Sequence, residues 1–402
     1  KSMTKLPFQA TDRAKKVNPF RVMDVLERAM QLEVQGRDII HLEVGEPDFT
    51  TCDPIVAAGV QALQSGRTSY TAASGLSALR ERIARFYAEH HEVDVEPSRI
   101  IITPGASGAL VLLSNLLINP GDHVLMPDPA YPCNRNYVQL AGGRSVLLAP
   151  ETPGQAAPSI SQLDAIYTDS VKGLWLASPA NPTGAVIESA ALQELSYWAQ
   201  RRGVHLLVDE IYHGLDFTRA REQSRPMGDL PTAVAFGEQN FVINSFSKYF
   251  GMTGWRVGWL VVPQSFAATA NVLAQNLFIA ACTASQHAAL AAFDPASIEI
   301  HEARREAFRQ RRDFLASALP QLGFSLPWQP QGAFYCYAGI DQFSDDCEAF
   351  CQNLLENHGV ALTPGTDFGE HNARRYVRFA YTRSLTDMER AVERLAKALL
   401  SG

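Results

Sequence analysis

Lys248 stands directly behind the apolar run Phe241-Val242-Ile243-Asn244-Ser245, with Ser245 and Ser247 before it and Arg256 eight residues after it. Two hydroxyls and a guanidinium fork are the donor set that a phosphate dianion calls for, since the fork holds two oxygens at once. A lysine amine beside a bound phosphate and an aldehyde is what Schiff-base chemistry requires. Alone, a lysine at a strand end is usually just solvated. Its neighbours give this one a task.

Other segments offer the same ligand a seat. Thr103-Pro104-Gly105-Ala106-Ser107-Gly108 runs from a strand end into an amphipathic helix, and small residues there let an anion approach the amides at the positive helix end. Such turns are common structural features, so this one gains weight from sharing a ligand with Ser245 and Arg256. Asp209 ends the apolar run 204–208, at the carboxyl end of a strand, where ligands of open α/β sheets collect. An aspartate at that place can equally cap a following helix. Arg378, among Tyr376, Val377, Phe379 and Ala380, needs an anion, either a ligand carboxylate or a protein partner.

The pattern Ser245-x-Ser247-Lys248, then Met252, Gly254, Arg256 and Gly258, resembles the cofactor-lysine segment of fold-type-I pyridoxal-phosphate enzymes, specifically the class I/II aminotransferases. The resemblance runs from Leu42-Glu43-Val44-Gly45-Glu46-Pro47-Asp48-Phe49 to Arg378, with matching segments in the family's order. It implies pyridoxal 5′-phosphate held by Lys248 as an internal aldimine. The phosphate would rest on Gly105, Ala106, Ser107, Ser245, Ser247 and Arg256, and the ring would stack on Tyr131. Asn181, in Ser178-Pro179-Ala180-Asn181-Pro182-Thr183-Gly184, and Tyr212 would bond the phenolic oxygen O3′. Asp209 would pair with the ring nitrogen and keep it protonated, which makes the ring a better electron sink. Gly45, Asn181 and Arg378 would hold the substrate α-carboxylate at a seam between two lobes. Tyr70 would reach the phosphate of a neighbouring subunit, making the functional unit a homodimer.

The implied reaction moves an amino group from an L-amino acid to a 2-oxo acid in two half-reactions of ping-pong type, with Lys248 as general base and acid. Aspartate-preferring relatives commonly carry a lysine where this chain has Ser107. The resemblance therefore implies a neutral or aromatic donor ahead of aspartate. Elimination chemistry on the same fold would use the same lysine, aspartate and arginine. A ligand-sensing transcription regulator would share the motifs but carries an upstream helix-turn-helix domain, and only about 40 residues precede Gly45. A dehydrogenase is disfavoured because no G-x-G-x-x-G links the first strand and helix.

The elements that must position these residues are short aliphatic runs at 100–103, 123–126, 145–149, 173–177, 204–208 and 241–245, separated by helical patterns. Continuous apolar strands of this kind indicate a mostly parallel sheet covered on both faces. The fold class is α/β. The resemblance implies a seven-stranded sheet flanked by helices, with a smaller α+β domain beside it. Apolar residues from Val22 to Leu32 recur at helical spacing and stop before Gly36. Helices are also expected over 298–319 and 386–400. Three parts follow: an arm and part of the small domain (1–47), a large cofactor-binding domain (48–294) and a C-terminal small domain (295–402).

With 402 residues, 46% hydrophobic and 19% charged, the chain can build more than one packed core. Its net charge of −7 and scattered basic residues leave no footprint for nucleic acid. No apolar run is long enough to cross a membrane. Lys1-Ser2 ahead of Met3 reads as an added remnant, and the polar start is not a secretory signal, which points to the cytoplasm. The six cysteines form no C-x-x-C. Reduced, buried thiols are expected, with neither disulfides nor a metal site.

Overall fold

The computed structural model describes residues 9–400; Lys1 and Ser2, read above as an added remnant, lie outside the described residues. The strands are β1 (Ile40–His41), β2 (Ile100–Thr103), β3 (His123–Pro127), β4 (Arg144–Leu148), β5 (Val171–Ala177), β6 (His205–Asp209), β7 (Phe241–Ser245), β8 (Gly258–Val261), β9 (Tyr335–Gly339), β10 (Val360–Ala361), β11 (Thr363–Pro364) and β12 (Tyr376–Ala380). Seven of them form one sheet in the order β2-β8-β7-β6-β5-β3-β4. All neighbours are parallel except β8, which runs antiparallel to both β2 and β7. This is the mostly parallel α/β sheet expected.

Successive residues of these strands feed two different cores, as a period of two demands. Leu206 and Val208 of β6, Val242 of β7 and Trp259 of β8 enter one core. Leu207, Ile243 and Leu260 enter the other, with Ala109, Leu112 and Leu113 of the helix Gly105–Leu117. Both faces of the central strands are buried, so β2, β6 and β7 carry runs of consecutive apolar residues and need no polar alternation.

β8 was not anticipated. Its Gly258 had read as the end of a phosphate motif, yet Gly258 pairs with both Thr103 of β2 and Ser245 of β7. The register therefore places the end of β2, the end of β7 and the start of β8 on one edge of the sheet. A Cβ at Gly258 would lie 2.9 Å from Asn244 O and 3.0 Å from Gly105 C. Only a glycine lets these backbones come so close.

β9, β12 and β11 make a separate antiparallel sheet. β1 and β10 pair in parallel, so residues 40–41 are tied to residues 360–361. The helix Arg21–Val34 starts before and ends after the apolar pattern that predicted it. The helix expected over 298–319 spans Pro295–Leu322, because Pro295 suits the first turn and Gly323, at φ +105°, takes the left-handed stop. The last helix is Leu385–Leu400. Among the described residues no helix is long and apolar enough to cross a membrane. All six cysteines are free thiols, but Cys282 is exposed, against the expectation of burial; it occupies the turn that opens the helix Thr283–Leu290.

Candidate active site

The edge where β2, β7 and β8 meet opens into a cavity of about 260 Å³. Ala106 and Ser107 reach it from the start of the helix Gly105–Leu117, Ser245 from the end of β7, and Ser247, Lys248 and Arg256 from the connection between β7 and β8. Ser245 Oγ donates to Ser247 Oγ at 3.0 Å, and Arg256 Nη1 lies 3.4 Å from that same Ser247 oxygen. A Cβ on Gly105, at φ +68°, would collide with Arg256 Nη2. Hydroxyls, guanidinium and helix amides thus converge on a single cradle, the donor set that suits a phosphate. Arg256 adopts a left-handed backbone at φ +51°, a strain of about 1–3 kcal/mol that persists only when the surroundings impose it.

Lys248 extends from the cradle across the cavity and donates from Nζ to Gly45 O at 2.9 Å. Burial, and after it the positive charge of Arg378, lowers its amine to about 8. A lysine so poised keeps an appreciable fraction of neutral, nucleophilic amine near neutral pH. Asp209, at the end of β6, is 8% exposed. Burial raises its carboxyl to about 6, against the lowering effect of a bond from Ile211 N at 3.1 Å and of the Lys248 charge. A turn follows Asp209 instead of a helix, so helix capping is not its task. Tyr212, in that turn, shares a hydrogen bond of 2.8 Å with Tyr335 Oη.

Arg378 projects from β12 and is 2% exposed. It donates from Nη1 to Asn181 Oδ1 at 2.8 Å and from Nη2 to Glu43 O, both neutral acceptors. Its Nε is buried with no hydrogen-bond partner. Asp367 interacts with this guanidinium only at longer range; a buried guanidinium without a direct ion pair is a costly arrangement, and a ligand carboxylate would relieve it. Tyr131, at the head of the helix Pro132–Leu140, lines the cavity and meets Phe20 edge to face at 6.1 Å between centroids.

The structure thus gathers Gly45, Ala106, Ser107, Tyr131, Asn181, Asp209, Tyr212, Ser245, Ser247, Lys248, Arg256 and Arg378 around one cavity, with Gly105 packed behind Arg256. Tyr70 is not in it; its side chain is 81% exposed. Sequence reasoning missed Tyr335 and an apolar wall of Phe20, Val22, Met23, Leu110 and Ile211. The helical spacing from Val22 was visible, but nothing in it showed that its first turn would face the lysine. Tyr137 was missed too: its hydroxyl interacts with Ser107 at the edge of the cradle.

The family model for aminotransferase class I and II matches residues 37–395. A valine–pyruvate aminotransferase of Mycobacterium tuberculosis is 35% identical, over 96% of this chain and 97% of its own. An aspartate aminotransferase of Geobacillus stearothermophilus is 33% identical, over 95% of this chain and 97% of its own. Among solved structures, an aminotransferase from Mycobacterium tuberculosis superposes with a TM-score of 0.93 at 34% identity, covering 98% of this chain and all (100%) of that one. The aspartate aminotransferase of Thermus thermophilus with maleate gives 0.90 at 31% identity, with 98% and 100% covered. The fold is that of the fold-type-I transferases. This chain belongs to the class I and II aminotransferase family, and it is a transaminase.

Proposed function

We propose that this transaminase binds pyridoxal 5′-phosphate on Lys248 and moves an amino group from a neutral or aromatic L-amino acid to a 2-oxo acid in two ping-pong half-reactions. The observation that carries the reading is the half-buried Lys248 amine, set between a phosphate cradle and Arg378, whose Nε has no partner among the described residues. The cradle and the lone carboxylate at Asp209 suit this cofactor, whose aldehyde accepts the substrate amine and whose ring delocalises the electron pair left on Cα.

The residues divide the work. Gly105, Ala106, Ser107, Ser245, Ser247 and Arg256 bind the phosphate, and Tyr131 covers the ring. Asp209 holds the proton on the ring nitrogen, while Asn181 and Tyr212 bond the phenolic oxygen. Arg378, with Asn181 and the Gly45 backbone, orients the substrate by its α-carboxylate. Lys248 is the covalent anchor, and once displaced it moves a proton to and from the substrate Cα.

Donor preference is read from the apolar lining of the cavity. Phe20, Val22, Met23, Leu110 and Ile211 are apolar, and Lys248, Arg256 and Arg378 already have other anions to hold. The relatives' names include both valine–pyruvate and aspartate aminotransferases, and the apolar lining supports the neutral or aromatic donor. The functional unit is a homodimer completed by Tyr70. In support, Val56, Val60 and Leu63 form an exposed apolar stripe on the helix Asp53–Gln64, and Arg256 is itself exposed in the single chain. Residues 48–294 form the cofactor-binding domain, and the segment up to residue 47 supplies an arm and part of the smaller domain built from residue 295 onward; β1 pairing with β10 supports that division. Six free thiols suit the cytoplasm.

The deciding experiment is an absorbance spectrum with product analysis. A visible band that borohydride removes, absent in Lys248→Ala, is expected, with pyridoxamine phosphate accumulating from a neutral donor. A protein that takes up no pyridoxal phosphate sinks the cofactor reading. Ammonia as the product points to elimination, and selective turnover of aspartate overturns the donor class. Sedimentation velocity of the wild type tests the dimer.

A further inference from the structure

We propose that Tyr335 is a positioning residue of this site, setting the donor direction of the Tyr212 hydroxyl through its own hydroxyl and the plane of Arg378 through its ring. The inference rests on the cofactor and carboxylate roles proposed above, and it concerns a residue to which the family motifs give no part.

Tyr335 is buried at 1% exposure and touches both halves of the machinery. Its Oη lies 2.8 Å from Tyr212 Oη, and the Arg378 guanidinium carbon sits 4.3 Å from its ring centroid. Strand register produces the second contact. Arg378 of β12 is opposite Tyr337 of β9, so Tyr335, two residues away, is its diagonal neighbour on the same face. Placement is held from several sides. Ala333 takes a left-handed backbone at φ +59° and donates to Leu215 O at 2.8 Å, while Gly332 N donates to Gly184 O at 2.9 Å. A Cβ at Gly45 would run into the Tyr335 hydroxyl, so the carbonyl that receives Lys248 and the phenol fit together only with glycine there.

Each phenol has one proton to give. If Tyr212 donates outward to the cofactor's phenolic oxygen, the 2.8 Å contact must be filled by the Tyr335 proton. The two hydroxyls then donate in series, and a hydroxyl that accepts a bond becomes the stronger donor. The ring contributes separately: a guanidinium stacked on an aromatic face keeps its plane, and a carboxylate needs that plane to bind through both nitrogens. Packing alone would be met by phenylalanine. The hydroxyl, buried and bonded to Tyr212 of the other sheet's connections, is the part that packing does not explain.

The test uses Tyr335→Phe and Tyr335→Leu beside the wild type, all loaded with pyridoxal phosphate. Tyr335→Phe is expected to melt like the wild type and keep its amino-acid KM. Its visible absorbance should titrate roughly 0.5 unit higher in pH, because a weaker donor at Tyr212 leaves the deprotonated chromophore less stabilised. Tyr335→Leu should add a rise in amino-acid KM of about ten-fold through loss of the nearer of the two rings, Tyr335 and Phe368, that Arg378 lies over. A Tyr335→Phe protein that titrates at the wild-type pH overturns the hydroxyl role even where its turnover has fallen. A Tyr335→Leu protein with unchanged KM overturns the ring role; if that variant fails to fold, Tyr335→Phe decides the proposal alone. A wild type with no visible band removes the cofactor reading and this inference with it, and that is seen before any variant is compared.

Discussion

Arg378 Nη1 donates to Asn181 Oδ1 at 2.8 Å, and through that contact a strand of the three-stranded sheet reaches the loop behind β5 of the seven-stranded one. The guanidinium is already oriented before any substrate arrives, while its Nε has no partner among the described residues. Binding a carboxylate here costs little reorganisation.

Replacing Arg378 by lysine should therefore hurt more than the kept charge suggests. A point charge on a flexible stem cannot hold two oxygens in a plane or keep the Asn181 bond at the same time. Arg378→Lys is expected to lose about 2 kcal/mol of transition-state binding, roughly 30-fold in kcat/KM for the amino acid. Steady-state kinetics check this, and the cofactor band should stay as in the wild type.

The Lys248 amine, lowered to about 8 by burial and by Arg378, gives a pH signature in the cofactor-free protein. Only the neutral amine attacks an aldehyde. The rate of pyridoxal-phosphate uptake should rise with pH through about 8 and then level off. A lysine with an ordinary amine would keep accelerating to about pH 10. Stopped-flow absorbance across that range distinguishes the two, and Arg378→Met should move the midpoint upward by removing a neighbouring positive charge.

Much of this was legible in the sequence, for physical reasons. Strands buried on both faces carry runs of consecutive apolar residues, so β2, β3, β5, β6 and β7 announced themselves. The cradle was legible because phosphate demands few residue types and local spacing supplied them from Ser245 to Arg256. β8 escaped because Gly258 serves two purposes: it closes the anion motif and begins the strand that carries β2 beside β7. Tyr335 escaped for a different reason. Its neighbours Tyr212 and Arg378 lie 123 residues before it in the chain and across a strand register, and no local pattern encodes either. Tyr70 was named from resemblance, and a single chain leaves it at the surface.

Gly258→Ala tests the shared edge. The added methyl would meet backbone atoms at 2.9 and 3.0 Å, and backbone cannot turn aside as a side chain can. A loss of about 2 kcal/mol in unfolding free energy is expected from overpacking. Because the atoms that must move include those of Gly105 and Ala106, retention of pyridoxal phosphate in equilibrium dialysis should weaken as well. Gly254→Ala, where a Cβ meets nothing within 4 Å, is the control and should change neither.

Asp209 sets function against stability. Its carboxyl is raised to about 6 by burial, above the unfolded value near 4. A raised acid penalises the ionised form in the fold, so the cost is absent below the unfolded pKa and fully present above the folded one. Asp209→Asn removes that cost while its amide oxygen still accepts from Ile211 N. Without cofactor, the variant should exceed the wild type by on the order of 2 kcal/mol in urea unfolding at pH 7.5, and the difference should vanish by about pH 4. Transaminase turnover should fall by about a hundred-fold or more, because the neutral amide no longer holds the proton on the cofactor's ring nitrogen. Equal stability at both pH values would show that Asp209 bears no burial cost, and full turnover would show that the ring-nitrogen role is wrong.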